Sequence, residues 1–194
     1  MIGLFRRTPS AETIRALYGA IVAQARRPVF YTAYHVPDTV AGRFDMIALH
    51  AILFLRRVRD PGDSLREVGQ GVFDLFCYDL DHNLRERGVG DLAVPRQMRG
   101  LAEAFYGRAA AYDQALAQND DRELAAALGR NVFGVAGSPP PWAGPLASYV
   151  RAAEVDLARQ EAAALHRGML QFPVPEAILD EEATADLRSG DGVI

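Results

Sequence analysis

The stretch RFDMIALHAILFLRRVRD, residues 43–60, decides the fold because it is apolar around almost its whole helical circumference. Apolar residues on one helical face are Phe44, Ile47, Ala48, Ala51, Leu55 and Val58. A helix that is apolar all round lies at the centre of a core or offers part of its surface to a partner. The first interpretation predicts a central helix. The second keeps MIALHAILFL, residues 46–55, as an apolar surface for a partner.

Helical patterns continue towards the N-terminus. Thr8 is placed to cap a helix whose first residue is Pro9. Apolar residues then recur at helical spacing up to Ala25. This helix should end before Pro28. Residues 29–42 are interrupted by proline and glycine, and they are expected to form an ordered connection.

Helices are also predicted on the C-terminal side. Ser64 and Glu67 have the spacing of a capping box, which indicates a helix start. Three consecutive prolines at 139–141 interrupt the later helical pattern. Four helices are therefore expected, at residues 65–87, 95–116, 121–128 and 146–166.

These patterns together predict an all-α protein with one compact domain of six to eight helices. The domain should span residues 10–172, after a flexible tip at 1–9 and before an acidic, partly disordered tail at 173–194. The chain of 194 residues is long enough to bury a sizeable core. It contains no apolar run of the roughly 18 residues needed to span a membrane. A cytoplasmic protein is expected, with contact at the inner-membrane surface as an alternative.

The composition excludes several chemistries. All 21 basic residues are arginine, so Schiff-base catalysis and a P-loop lysine are excluded. The net charge of -4 gives no reason to expect a specific nucleic-acid partner. Cys77 is the only cysteine, which excludes an internal disulfide and a cysteine-rich zinc site. Neither a metal nor another cofactor is expected.

A polar segment, YDLDHNLRERGVGDLAVPR at residues 78–96, begins in the last turns of the helix predicted at 65–87. A calcium loop starting at Asp79 would need glycine at its sixth position and glutamate at its twelfth, and neither is present. The spacing instead favours a pair between Asp81 and Arg85 at i, i+4. Gly88 is placed to end the helix in a left-handed conformation. These residues are typical of an exposed, charged helix end.

The histidines offer the main enzymatic alternative. His35, His50, His82 and His166 do not have the spacing of a zinc or di-iron motif. An all-helical enzyme that binds haem or a metal through His50 or His35 is therefore kept only as the alternative. A hydrogen-bonded core histidine is the competing interpretation of His50.

Three blocks of the sequence resemble the ubiquinol-cytochrome c chaperone family, which includes bacterial relatives of the mitochondrial chaperone for cytochrome b. The blocks are VPDTVAGRFDMIALH (36–50), FDLFCYDLDHNLRERGVGDLAVPRQMRGLAEAFYGRAAAYDQAL (73–116) and GRNVF (129–133). The resemblance implies a non-enzymatic assembly chaperone that binds newly made cytochrome b. It also implies a small partner protein and contact with a membrane or ribosome.

Within these blocks, residues are nominated for contact with a client or partner. They are Arg43, Asp45, His50, Asp81, Arg85, Asp91, Met98, Phe105 and Arg108. A second interpretation of the charged members stays open, because Arg43, Asp45, Asp81, Arg85 and Arg108 would also suit a buried ion network that fixes helix packing.

Overall fold

The structure is a computed structural model that describes residues 9–59, 65–118 and 121–180. These ranges contain helices and connections but no strand, which confirms the all-α prediction. The main helices of these ranges are α1 (Ala11–Ala25), α2 (Pro28–Thr32), α3 (Val40–Val58), α4 (Arg66–Glu86), α5 (Val94–Ala117), α6 (Asp121–Asn131), α7 (Ala143–Arg159) and α8 (Ala162–His166). Residues 175–180 are also helical.

Helix α3 is the centre of the fold. It packs against α1, α4, α5 and α7. Met46, Leu49 and Phe54 have no exposed surface, and most of the helix between them is equally buried. The prediction of a central helix is thus confirmed. The alternative, an open client surface along residues 46–55, is wrong for most of that stretch because neighbouring helices cover it.

The helix ends differ from the predictions in local ways. Ser10, rather than Thr8, caps α1, because its side chain accepts a hydrogen bond from the Thr13 amide. The expected connection at 29–42 contains the short helix α2, which begins at Pro28. The predicted cap at Ser64 lies outside the described residues, and α4 begins at Arg66 without a side-chain cap.

The single helix predicted at 146–166 is wrong, because the chain breaks between α7 and α8. Gln160 adopts an extended conformation there, and its side chain pairs in both directions with the backbone of Gln171, at 2.7 and 3.0 Å. Arg57 donates to the carbonyls of Leu157 and Gln160 at 3.0 and 2.9 Å. These long-range bonds satisfy carbonyls that a continuous helix would have satisfied internally.

Residues 171–176 form a C-terminal strap across the core, beyond the predicted domain boundary at 172. Gln24 donates to the Pro173 carbonyl at 3.0 Å, and the buried Tyr34 hydroxyl donates to the Pro175 carbonyl at 2.8 Å. Arg27 holds the Glu176 carboxylate on the outside. The packed domain therefore extends past 172, and residues 181–194 of the predicted tail lie outside the described part.

Candidate functional site

A cleft of about 540 Å³ opens between α1, α3, α4 and α5. Apolar side chains form its floor: Phe44, Ile47, Phe76, Leu80, Leu84 and Leu101; Val40 lies at the exposed rim. Polar and charged side chains surround the floor: Tyr18, Arg26, Arg43, Asp79, Asn83 and Arg87. An apolar depression with a charged rim is the surface type that accepts an apolar segment of another protein.

Helix α4 forms one wall of this cleft. Its apolar and its polar side chains each recur at helical spacing on the face turned towards the cleft. Leu80 and Leu84 lie one turn apart on the floor, and Asp79, Asn83 and Arg87 follow the adjacent row on the rim. The Tyr18 hydroxyl donates to the Asp79 carboxylate at 2.9 Å. Burial, together with this carboxylate, raises the pKa of Tyr18, so the phenol remains a neutral donor.

Phe44 in the cleft floor is supported from behind by a pair of charges. Asp45 and Arg108 form a largely buried ion pair at 2.8 Å, and the Arg108 guanidinium lies 6.0 Å from the centre of the Phe44 ring. Burial raises the pKa of Asp45, and Arg108 acts in the opposite direction. For this pair the geometry matches the interpretation as an ion network, because it joins α3 to α5.

Phe105 also lies behind the cleft. Its ring is 5.3 Å from the ring of Phe76, and it is almost completely buried. Met98 is half-buried one turn before Leu101 on α5 and does not line the cleft. Phe105 therefore shapes the floor without facing a partner, whereas Met98 retains exposed surface.

Arg43 is the predicted contact residue that lines the cleft itself. Its guanidinium binds the Asp38 carboxylate at 2.6 Å and lies 5.3 Å from the centre of the Tyr31 ring. The hydrogen bond to Asp38 raises the pKa of Arg43. Arg43 is thus held in position on the rim and remains exposed.

The charged helix end predicted around Arg85 is present, but its side chains do not line the cleft. Arg85 binds Asp81 at 2.7 Å, as its spacing predicted, and also binds Asp91 in the following loop. Because Arg85 donates to Asp81, the pKa of this carboxyl is lowered. The three exposed side chains form a clasp between the end of α4 and the loop before α5.

Gly88 closes the same helix end with a left-handed backbone, φ +80°. The amides of Gly88 and Val89 donate to the carbonyls of Arg85 and Leu84, at 2.9 and 3.1 Å. This is the Schellman arrangement, and it satisfies two carbonyls at the end of α4. The predicted role of Gly88 is confirmed.

His50 is a core residue, which corrects its nomination as a contact residue. It is fully buried, with Nδ1 2.7 Å from the Met46 carbonyl and Nε2 2.8 Å from the Tyr149 hydroxyl. Nδ1–H therefore donates to Met46, Nε2 accepts from Tyr149, and Gln24 donates to the Tyr149 oxygen at 3.0 Å. Burial lowers the pKa of His50 to about 4.

This arrangement also argues against the enzymatic alternative. Both ring nitrogens of His50 already have protein partners, so ligation of haem or a metal would break the buried chain. His35 is exposed and lies against Trp142, with ring centres 5.0 Å apart. Within the described ranges, no three histidine, cysteine or acidic side chains are grouped so as to hold a metal ion.

Several cleft residues were not predicted from the sequence, namely Tyr18, Arg26, Asp79, Asn83, Arg87 and Leu101. A signal for some of them exists, because Asp79, Asn83 and Arg87 recur at four-residue spacing beside an apolar row of the same predicted helix. The contributions of α1 and α5 have no local signal, since they depend on how the helices pack.

Comparison with known proteins gives a consistent result. The family model described as ubiquinol-cytochrome C chaperone matches residues 32–172. Curated relatives include ubiquinol-cytochrome-c reductase complex assembly factor 1 of Xenopus laevis, 27% identical over 70% of this chain and 67% of that protein. The human protein of the same name is 27% identical, and the match spans only 45% of its length.

A solved structure shows the same fold. The crystal structure of the Cbp3 homolog from Brucella abortus is 39% identical and superposes with a TM-score of 0.79. The match covers 89% of this chain and 96% of that one. In the described residues, no helix is both long enough and apolar enough to cross a membrane.

Proposed function

The chain belongs to the ubiquinol-cytochrome c chaperone family, and from this premise we propose that it binds newly made cytochrome b during assembly of ubiquinol-cytochrome c reductase. In this proposal the protein is not an enzyme, because its task is to shield apolar surface of a client until the client is assembled. Membership of the family establishes the coarser role, an assembly chaperone for the reductase complex.

The main support for the proposal is that residues from two of the family-like blocks come together in the cleft. Val40, Arg43 and Phe44 come from the first block, and Phe76, Leu84 and Leu101 come from the second. Residues that are 30 to 60 positions apart in the sequence thereby line one open cleft. A shared structural need alone would place all of these residues in the core, as it does Phe76, whereas Val40 and Arg43 are exposed and Phe44, Leu84 and Leu101 retain partial access to solvent.

The size of the cleft indicates how much of a client it covers. A helix is about 10–12 Å wide and rises about 1.5 Å per residue, so two turns occupy roughly 1000 Å³. A cleft of about 540 Å³ therefore accepts side chains from about one turn of a client helix. Such limited burial gives a releasable contact, which suits a chaperone that hands its client on.

Photo-cross-linking tests this proposal. A photoreactive amino acid at Val40, which is 63% exposed on the cleft rim, should capture cytochrome b in cells that lack the unmodified protein. The control is the same amino acid at Val155, which is 40% exposed on α7 and away from the cleft. Equal capture from both positions, or capture of no subunit of the complex at Val40, would contradict the proposal.

Deletion of the gene gives a functional test of the same proposal. We expect membranes of the deletion strain to lose the cytochrome b spectrum and the ubiquinol-cytochrome c reductase activity. The wild-type gene should restore both. A normal spectrum and activity without the protein would show that it has another client.

We also propose transient contact with the inner-membrane surface, and fractionation of cells with the cross-linked client would detect it.

A further inference from the structure

The two walls of the cleft run in the same direction. A Cβ atom at Gly71 of α4 would meet the side chain of Ile14 of α1. Farther along both helices, Tyr18 binds Asp79. Arg26 and Arg87 then cap the C-terminal ends of α1 and α4, and both line the cleft. Parallel helices place these two arginines at the same end.

Arg43 belongs to the same end of the cleft. The Arg43 guanidinium lies 5.3 Å from the centre of the Tyr31 ring, and Arg26, which lines the same cleft, acts on the pKa of that phenol. The floor of the cleft is therefore apolar along its length and cationic at one end. We call Arg26, Arg43 and Arg87 the arginine end.

The nearby carboxylates neutralise this end only in part. Asp79 accepts a hydrogen bond from Tyr18, and Asp38 is paired with Arg43. Glu86 faces His82 at 3.1 Å. Within the described part of the chain, neither Arg26 nor Arg87 has an ion-pair partner, and both are exposed. Two cationic groups are thus available to an anionic ligand beside an apolar surface.

We propose that the cleft selects apolar helical client segments that carry carboxylate side chains at one end, and that the arginine end binds those carboxylates. This inference rests on the proposed function and adds the chemistry and direction of the client segment. An apolar segment alone would bind in either direction. Carboxylates placed against Arg26 and Arg87 fix one direction, because the opposite direction leaves them over the apolar floor.

Three fluorescent helical peptides test the inference with the whole protein. They share one centre of leucine and alanine and end in two glutamates, two glutamines or two lysines. Fluorescence anisotropy measures the three dissociation constants. We expect the glutamate peptide to bind about tenfold more tightly than the glutamine peptide, a difference of about 1.4 kcal/mol, and the lysine peptide to bind most weakly.

Matched double variants locate the effect. Arg26→Gln with Arg87→Gln should remove the preference for glutamate and leave binding of the glutamine peptide unchanged. Arg15→Gln with Arg66→Gln removes two exposed charges near the opposite ends of the same helices, and it should retain the preference. Equal binding of the glutamate and glutamine peptides to the wild-type protein would overturn the inference.

A third variant separates the inference from the proposed function. Leu84→Glu places a charge on the cleft floor and should weaken all three peptides. If it does so while the wild-type protein shows no preference, the cleft binds clients and only the role of the arginines is wrong. If no peptide binds the wild-type protein, both proposals fail. Arginine-dependent binding of phosphatidylglycerol vesicles, with no peptide preference, would assign the arginine end to lipid and overturn the inference.

Discussion

Gly42 lies in the first turn of α3, where no side chain fits. Its amide donates to the side chain of the cap Thr39 at 3.0 Å. A Cβ atom at Gly42 would overlap the carbonyl oxygen of Pro37, which is backbone and has little freedom to move. The glycine therefore lets the chain fold back directly before the central helix, next to Val40 and Arg43 of the cleft.

We expect Gly42→Ala to lower the free energy of unfolding by about 1–3 kcal/mol, the usual cost of forcing an atom into filled space. Chemical denaturation measures the change. Gly19→Ala is the matched control, because that helical glycine has open space around it and alanine favours a helix by about 0.5–1 kcal/mol. If Gly42→Ala and Gly19→Ala both stabilise the protein, the backbone at Pro37 moves easily to make room for the added methyl group, which contradicts the prediction.

His50 should make the stability of the protein depend on pH. The unfolded chain protonates this imidazole near 6.5, whereas the folded protein does so only near 4. Between these values the unfolded state holds the additional proton, so stability is complete above 6.5 and falls as the pH is lowered towards 4. The loss attributable to His50 should reach about 3 kcal/mol.

Denaturation at a series of pH values checks this dependence. His50→Gln should be less stable at neutral pH and should show a smaller loss between pH 6.5 and 4. His35→Gln is the matched control, because it replaces an exposed histidine outside the core. An unchanged slope in His50→Gln would show that other groups cause the acid sensitivity.

At the scale of elements, the clasp of Asp81, Arg85 and Asp91 holds the connection between α4 and α5 in place and does not contribute to the hydrophobic core. All three side chains retain solvent access, so their ion pairs are weakened by water and salt. Arg85 nevertheless joins the last turn of α4 to the loop before α5. The clasp should therefore restrain local motion of that loop with little influence on global unfolding.

Arg85→Ala should leave the thermal midpoint nearly unchanged and accelerate hydrogen exchange of the amides at residues 88–93. Mass-spectrometric exchange resolves this segment. Arg96→Ala is a suitable control, since Arg96 is exposed at the start of α5 and has no ion pair in the described ranges. A large drop in the midpoint of Arg85→Ala would instead make the clasp essential for the fold.

Local patterns predicted most elements, and distant contacts explain most errors. The apolar circumference of α3 and the i, i+4 pair at the end of α4 depend on near neighbours, so both were predictable. The break between α7 and α8 was not, because it depends on Arg57, about a hundred residues away, and on Gln171. Sequence periodicity carries no information about such partners.

At the scale of the whole molecule, the pair Asp45–Arg108 connects helices that are distant in sequence. Arg108 also donates to the carbonyl of Ala104 in its own helix, and its Nε atom has no hydrogen-bond partner. Removing Asp45 would leave the guanidinium largely buried without its counter-charge. Such a loss costs more than the pair itself contributes.

Asp45→Ala should therefore lower the free energy of unfolding by about 2–4 kcal/mol. The double variant Asp45→Ala with Arg108→Met should recover part of this loss, because it removes the stranded charge. Denaturation of both variants and of Arg108→Met completes a double-mutant cycle. Equal losses in Asp45→Ala and the double variant would indicate that the pair is already well solvated.

The candidate site was only partly predictable. Arg43 was nominated and lies on the rim, while Asp45, Phe105 and Arg108 support the floor from behind. The sequence blocks do not distinguish residues that line the cleft from residues that support its floor, because both kinds lie on the same helices. Arg26 was missed since its place beside Arg87 depends on the parallel packing of α1 and α4.

The C-terminal strap has a consequence for the order of events during synthesis. Gln24 and Tyr34 receive their carbonyl partners from Pro173 and Pro175, which follow them by 149 and 141 residues. At about 5–20 residues per second, these donors wait roughly 7 to 30 s for their partners to be translated. The nascent chain therefore completes its core only once Pro175 has been translated, long after Gln24 and Tyr34 themselves.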